Sequence, residues 1–356
     1  MENINRKLKI ALLLIAQLLI CQFSFSQGFG DRVEGKMKFI PLPFLDYDLS
    51  SGATVGALPM LMFNTSEKDT VSPSSVIGVL GTNSENKSWI GLAFGKIYLD
   101  EDNWRLTGAI GRGDYHFQHF VGGPVNMWSK YNTNYQFAFL SVEKKIYQDM
   151  YIGVNYFHNS YDSESEIQLE KQKRQKFNGL GISFSIDKRS NVSYPTSGYL
   201  LDIDYNTYPS IFGNTKESNQ IEIAFNHYKS CRKGKDVLAT RVFTGIGIGN
   251  IDFNQQFIVG DTDIRGYSNG QYRGNFLISA QAEYRYNFSN RIGAVGFVGA
   301  ATVFGANNEE HNGKFLPSAG IGFRYTYLKD TNSKLGFDVA KGDGDWGFYF
   351  RISESF

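Results

Sequence analysis

The residues of this 356-residue chain that could carry chemistry are few: five histidines, two cysteines and several acidic, glycine-rich turns. His116 and His119 stand three apart, and a strand puts such residues on opposite faces, so joint metal ligation is not expected. His158 and His227 lie in separate segments. His311 belongs to "EEHNG", Glu309 to Gly313, which reads as a polar loop tip. "KGDGDWG" has the acidic spacing of a calcium-loop fragment, but a Gly-Asp-Gly turn between two strands accounts for it. "GIGIGN" lacks the helix that a dinucleotide-binding turn needs, and no G-x-S-x-G nucleophile elbow occurs. The expectation is no enzyme, with no catalytic residue, no metal site and no cofactor.

One stretch remains. "GDTDIRGYSNGQYRGN", residues 260–275, sets Arg265-Gly266-Tyr267 in a glycine-rich loop between segments that alternate apolar and polar residues. A guanidinium is always charged, so a buried Arg265 needs carboxylate or water partners. Which partners it meets depends on the strands around it.

The first residues set the compartment. Arg6, Lys7 and Lys9 precede an apolar run from Ile10 to Ile20, and Ser24 and Ser26 stand at the spacing of a cleavage site. Residues 1–26 read as a signal peptide whose apolar core is too short to span a membrane as a helix. Bulky Ile20 before Cys21 disfavours lipoprotein processing. Cleavage leaves 356 − 26 = 330 residues with one thiol, Cys231, hence no internal disulfide. A net charge of +1 gives no electrostatic case for nucleic acid. Aromatics make up 15% of the chain, with 38 Gly against 8 Pro, yet mean hydropathy is −0.30. That combination suits an outer-membrane barrel: alternate residues face lipid, aromatic girdles mark the interfaces, and the interior is wet. A secreted β-domain of another kind is the competing reading.

Period-2 alternation separates the two. In "NFLISAQAEYRYNF", Phe276, Ile278, Ala280, Ala282, Tyr284, Tyr286 and Phe288 share one face, with Leu277, Ser279, Gln281, Glu283, Arg285 and Asn287 on the other. "FNGLGISFSID", "GYLLDIDYNTY" and "SAGIGFRYTYL" repeat the rule, the last placing Tyr327 with the apolar set and Arg324 with the polar one. Charges and glycines recur on one face while the other ends in tyrosines, as lipid outside and water inside require. Strands are expected near 38–46, 54–64, 75–82, 87–99, 103–117, 131–147, 150–162, 176–188, 197–209, 217–230, 236–250, 273–288, 291–305, 316–329, 332–340 and 345–356. The predicted fold is all-β, a transmembrane antiparallel barrel of about 16 strands. A short periplasmic segment, 27–37, would precede the barrel at 38–356. Turns near 100–102, 148–149, 231–235, 289–290 and 330–331 are short and expected to be periplasmic; segments 118–130, 160–175, 251–272 and 306–315 are longer and expected to be extracellular. The mixed-charge run 162–176 reads as a solvated loop tip.

The chain closes on "DWGFYFRISESF", with Trp346, Phe348, Phe350, Ile352 and Phe356 on one parity. This is similar to the terminal signal by which outer-membrane barrels are recognised for insertion, which implies the barrel-assembly machinery as a partner.

With the strands placed, Arg265-Gly266-Tyr267 falls between the eleventh and twelfth. A loop there carrying Ile-Arg-Gly-Tyr resembles the BamA/TamA superfamily (bacterial surface antigen family), as do "DKRSNVSYPTSGYLLDIDY", with Asp187, Arg189 and a Pro-x-x-Gly, and "AEYRYNF" on the twelfth strand. The resemblance implies a loop folded back into the lumen, with Arg265 on acidic wall residues. Glu283 matches the family's acidic position, Gly266 and Gly270 would allow tight turning, and Tyr267 would pack on the wall. Phe297, Asp187 and Arg189 would support that wall. The family's Phe-x-Asp-x-Gly on the thirteenth strand is here "FVGAA": Phe297 remains, but Gly299 stands in place of the aspartate. The second carboxylate for Arg265 is therefore expected to be missing, unless Asp187, Asp202 or Asp204 substitutes. About ten residues separate Gln27 from the first strand, too few for the family's periplasmic POTRA domains. The resemblance implies an accessory in outer-membrane protein assembly, translocation or lipid handling, in contact with outer-membrane lipids and a separate periplasmic partner. The alternatives are a passive channel, a surface antigen, or the scaffold of an outer-membrane complex.

Overall fold

The computed structural model describes residues 32–33, 35–48, 52–121, 127–165, 175–214, 216–252, 255–260, 263–267, 272–306, 308–329, 332–343 and 346–356. The expected signal peptide, Gly270 and the middle of the charged run (166–174) lie outside them.

The strands are β1 (Met37–Asp48), β2 (Gly52–Phe63), β3 (Ser75–Ser84), β4 (Trp89–Leu99), β5 (Trp104–Val121), β6 (Met127–Tyr147), β7 (Met150–Ser165), β8 (Gln175–Asp187) and β9 (Gly198–Tyr208). They continue with β10 (Ser218–Cys231), β11 (Asp236–Gly249), β12 (Phe257–Ile258), β13 (Arg273–Gly274), β14 (Phe276–Asn287), β15 (Ile292–Phe304), β16 (Leu316–Leu328), β17 (Ser333–Lys341) and β18 (Trp346–Ile352). Sixteen of them form one antiparallel sheet, neighbour to neighbour in chain order, while β12 and β13 pair only with each other. β1 lies beside β18, so the sheet is a nearly closed barrel; no ladder joins those two strands among the described residues.

The faces of this sheet settle its solvent. Ile321, Val154 and Val298 point outward at 71, 62 and 60% exposure, whereas Glu283 and Asp338 on the inner face are fully buried. An apolar outside over a charged inside is the inverse of a water-soluble sandwich, and only hydrocarbon makes it favourable.

Four departures from the expected pattern have local causes. The twelfth barrel strand begins at Phe276, because Arg273 and Gly274 pair instead with Ile258 and Phe257. The last strand ends at Ile352, where Ser353 adopts φ 79° and its amide bonds the Lys334 carbonyl. A register shift between Thr326 and Leu328 breaks parity at the end of β16, so Tyr327 packs partly buried against the interior cluster instead of outward. The interior itself is not uniformly wet: β2, β4 and β6 turn Leu58, Met60, Leu92, Phe94, Tyr135 and Phe137 inward, where they bury one another. Loop lengths also alternate less cleanly than expected, since 64–74 and 188–197, at the short-turn end, are long connections.

Candidate functional site

Inward residues of β14 to β18 assemble a charge cluster around Arg265. Glu283 and Arg285 share the inner face of β14, Arg324 comes from β16, Asp338 from β17 and Arg351 from β18, while Glu354 follows β18. Arg265 Nη2 donates to Glu283 Oε2 at 2.6 Å and Nη1 to Asp338 Oδ2 at 2.7 Å. Both carboxylates and the guanidinium are completely buried. Asp338 also accepts from Arg324 and, at 3.1 Å, from Arg351. Arg285 Nε donates to the other Glu283 oxygen at 2.9 Å, and Arg324 Nε to Glu354 at 2.7 Å. Buried ions are tolerated only when paired and hydrogen-bonded, and this alternation of charge meets that condition. The Arg265 guanidinium lies 3.3 Å from the centroid of the Phe297 ring, whose face favours a cation.

Small residues make room. A side chain at Gly322 would press on Asp338, on Arg324 Nη1 at 2.9 Å and on Val295, and one at Gly336 would begin 2.8 Å from Arg324 Nη1. Gly266 has φ +98°, and a Cβ there would meet the Gly342 amide nitrogen at 2.7 Å. The residue is glycine for both reasons, conformation and close approach. Its amide donates to Tyr349 Oη at 2.7 Å, and Ser318 Oγ donates to the Arg265 carbonyl. Tyr267, 3% exposed, donates its hydroxyl to the Pro317 carbonyl at 2.5 Å and meets Tyr272 edge-on.

The structure thus brings Arg265, Gly266, Tyr267, Glu283 and Phe297 into one neighbourhood. It corrects the expectation that a second carboxylate is missing. Asp338 supplies it, from two strands further on than the replaced position. A side chain at Gly299 would start 2.9 Å from the Ala280 carbonyl and from Gln281 Cβ, and Gln281 Nε2 itself holds the Asp263 carbonyl at 3.0 Å. Asp202 and Asp204 sit on β9, across the sheet order from this cluster.

Asp187 and Arg189 do not join the wall around Arg265. Arg189 chelates Asp187 through Nε at 2.8 Å and Nη2 at 2.9 Å, and Asp187 also accepts from Arg105 at 3.1 Å. Arg105 in turn grips Asp102 with two bonds, and Tyr151 Oη donates to the same carboxylate at 2.6 Å. This second cluster lies at the short-turn end, because Asp102 belongs to the β4–β5 turn and Asp187 ends β8.

Trp346 and Phe348 point outward, 58 and 47% exposed, and Phe350 is half-buried. Phe356 does not share their face, a correction to the parity reading. The turn at Ser353 sends it inward, 1% exposed, against Tyr194, Tyr228, Val237 and Ala239. Its backbone oxygen accepts from Arg285 Nη2 at 2.6 Å, which links the chain beyond β18 to the Arg265 cluster.

Sequence reasoning missed Asp338, Glu354, Arg351 and Tyr194 as members. Tyr194, from the Pro-x-x-Gly segment, accepts from Asn287 at 2.9 Å and lies under Lys334 Nζ at 3.6 Å. The available signal was parity: Arg324 and Asp338 fall on inner faces, flanked by glycines at Gly322 and Gly336.

Sixteen antiparallel strands with buried charge inside and a loop arginine against the twelfth barrel strand are a specific combination, and residues 75–356 match the Omp85 superfamily domain. The chain belongs to the Omp85 superfamily. It is an outer-membrane β-barrel. Similar solved structures include BamA from Haemophilus ducreyi lacking POTRA domains 1–3 (TM-score 0.56, 16% identity, 90% of this chain and 69% of that one). CdiB from Acinetobacter baumannii (0.59, 13%, 90% and 60%) and CdiB from Escherichia coli (0.68, 11%, 90% and 63%) are also similar. The chain therefore spans under two thirds of the length of either CdiB. No curated protein matches the chain. At these identities the solved structures carry the fold alone.

Proposed function

We propose that this Omp85-superfamily barrel is an accessory in outer-membrane protein assembly or translocation, or in lipid handling, and that the Arg265 segment is a latch inside the lumen. The observation that supports this most is the double anchoring of Arg265. One guanidinium bridges Glu283 on β14 and Asp338 on β17, and the same network reaches the residues after β18. A loop fixed to the closing strands braces them while, among the described residues, the β1–β18 seam has no ladder. An unpaired strand edge can accept a partner strand or let a lipid-facing segment pass. Trp346, Phe348, Phe350, Ile352 and Phe356 fit an insertion signal read by the barrel-assembly machinery, and a separate periplasmic partner would deliver clients.

A passive channel fits less well, because an inward apolar cluster, most of it on β1–β6, and the ion network on β14–β18 both project into the interior. Depletion of the protein, followed by quantitation of other outer-membrane barrels and surface lipids, tests the reading. The expected result is a general fall in one of the two, restored by the wild-type chain and not by Arg265→Ala. No change in either would refute it.

A further inference from the structure

The inner face of β6 to β10 carries carboxylates that the chain's own cations do not pair. One register row crosses it. Glu143 on β6 stands opposite Gly153 on β7, Gly153 opposite Ser183 on β8, and Ser183 opposite Asp204 on β9. Asp204 in turn stands opposite Glu222 on β10, and Glu222 opposite Gly245 on β11. Three carboxylates therefore share one height of the wall, and Asp202 adds a fourth on the same face of β9. Asp204 and Glu222 are direct cross-strand partners, a relation in which like charges repel.

The cations that face this row are engaged elsewhere. Arg189 chelates Asp187, Arg241 holds Asp263 and Asn226 at 3.0 Å each, and Lys96 lies over the Tyr98 ring. Arg189 and Lys96 act on Asp202, and Arg241 on Glu222, only from beyond pairing distance, while Asp204 faces the other three carboxylates. Among the described residues none of the four carboxylates forms an ion pair. The one side-chain hydrogen bond that reaches them runs from Asn155 Nδ2 to Asp204 Oδ1 at 3.4 Å.

Neutral oxygens line the same patch. Ser183, 7% exposed, makes no hydrogen bond through its hydroxyl, and neither does buried Ser185, which stands opposite Asp202. The Oδ1 atoms of Asn155 and Asn206, both more than nine-tenths buried, accept nothing. Glycines let these groups lean together. A Cβ at Gly153 would press on Ser183 Oγ and lie 2.8 Å from Glu143 Cγ, and one at Gly181 would meet Asn206 Oδ1 and, at 3.3 Å, Asn155 Cβ. Carboxylate and amide oxygens only accept, so they cannot satisfy one another, and a secluded carboxylate needs a positive partner. A mixed array of carboxylate, amide and hydroxyl oxygens suits a hard cation.

We infer that this row is a luminal binding site for a hydrated divalent cation of the Mg²⁺ or Ca²⁺ class, centred on Asp204 and Glu222 and assisted by Ser183 and Asn155. Among the described residues no three acidic, histidine or cysteine side chains converge on one point. The cation therefore keeps part of its water shell, as Mg²⁺ does when it takes one or two carboxylates. Bound there, it ties β9 to β10 across their repulsive pair. The site shares no residue with the Arg265 latch, so its test stands apart from the proposed function.

The test uses the full barrel in phosphatidylcholine vesicles, stripped with a chelator and titrated near neutral pH with Mg²⁺ or Ca²⁺ in a calorimeter. Saturable binding is expected. Asp204→Asn with Glu222→Gln should weaken it about tenfold or more, the measure of one lost charge-assisted contact. Ser183→Ala, which keeps both carboxylates, should weaken it less. The cation should raise the urea midpoint of the wild type and leave that of the double variant unchanged. In chelator the order should reverse, with the double variant the more resistant because its like-charge pair is gone. Should the double variant fail to insert, Glu222→Gln alone carries the comparison. A wild type that binds neither cation, as protonated carboxylates would require, overturns the inference. So does a variant that binds them as tightly as the wild type, which would place the cation elsewhere.

Discussion

Asp338 accepts from Arg265, Arg324 and Arg351, so its removal leaves three cations around a neutral side chain in a buried site. Stripping one partner from a buried ion network costs about 3–5 kcal/mol. Asp338→Asn keeps the shape and removes the charge; it should lower the urea midpoint of the vesicle-inserted barrel by that measure, followed by gel mobility of unheated samples. Arg265 presents a different test. Its planar fork spans two carboxylates at 2.6 and 2.7 Å, which a point-charge ammonium cannot reproduce. Arg265→Lys should therefore fall much nearer Arg265→Ala than wild type in the same unfolding assay, and an Arg265→Lys barrel as stable as wild type would show that charge alone suffices. The sequence made Arg265 and Glu283 legible, because loop position and strand parity are local properties. Asp338 was not legible. Its role depends on how far β17 has rotated around the barrel, which no single strand's pattern records.

At the scale of elements, the sixteen strands and their lipid-facing sides were readable because side-chain alternation is set by the pleat itself. Its failures mark places where backbone dihedrals override it, at Ser353 and at the shift after Thr326. The first has a consequence for Phe356, which fills a cluster with Tyr194 and Tyr228. Phe356→Ala should cost on the order of 3 kcal/mol of stability through the lost ring, while Phe348→Ala, facing lipid, should change the urea midpoint far less. Equal effects would place Phe356 on the outer belt after all. The connection between β15 and β16 offers a pH test. Burial, and then the neighbouring Lys314 charge, push the His311 pKa below its ordinary value. The imidazole packs on Tyr272 with ring centres 4.7 Å apart, and Lys314 ties that tyrosine to Asp343. A histidine whose folded pKa is depressed binds its proton more readily when released. The contribution is therefore present above the ordinary histidine pKa and lost as pH falls below it toward the depressed value. Amide protection around Tyr272 and His311 should weaken between about pH 7.5 and pH 5, and His311→Gln should remove that pH dependence.

For the whole molecule, two stretches of the inner surface differ in character, with polar residues of β7–β11 such as Asn155, Asn206 and Asn226 between them. Aliphatic and aromatic side chains, most of them on β1–β6, turn inward and bury each other as a soluble core would. The β14–β18 wall carries ions that share partners, Asp338 with three arginines and Arg265 with two carboxylates. Both sets of side chains project into the bore, so ions crossing it would have to pass them. Planar-bilayer recordings of the wild-type barrel should therefore show conductance far below that of an open porin of similar strand number. Charge removal at Arg265 should change this if the segment latches as proposed: Arg265→Ala should free it at Gly266 and Tyr267, and brief openings should rise in frequency in the mutant. Substitution at Phe94, buried on the opposite wall, should destabilise the barrel without that signature. Steady, large conductance in the wild type, indifferent to Arg265, would mean that these side chains leave the bore open. The barrel would then work as a pore whose latch is ornamental to transport.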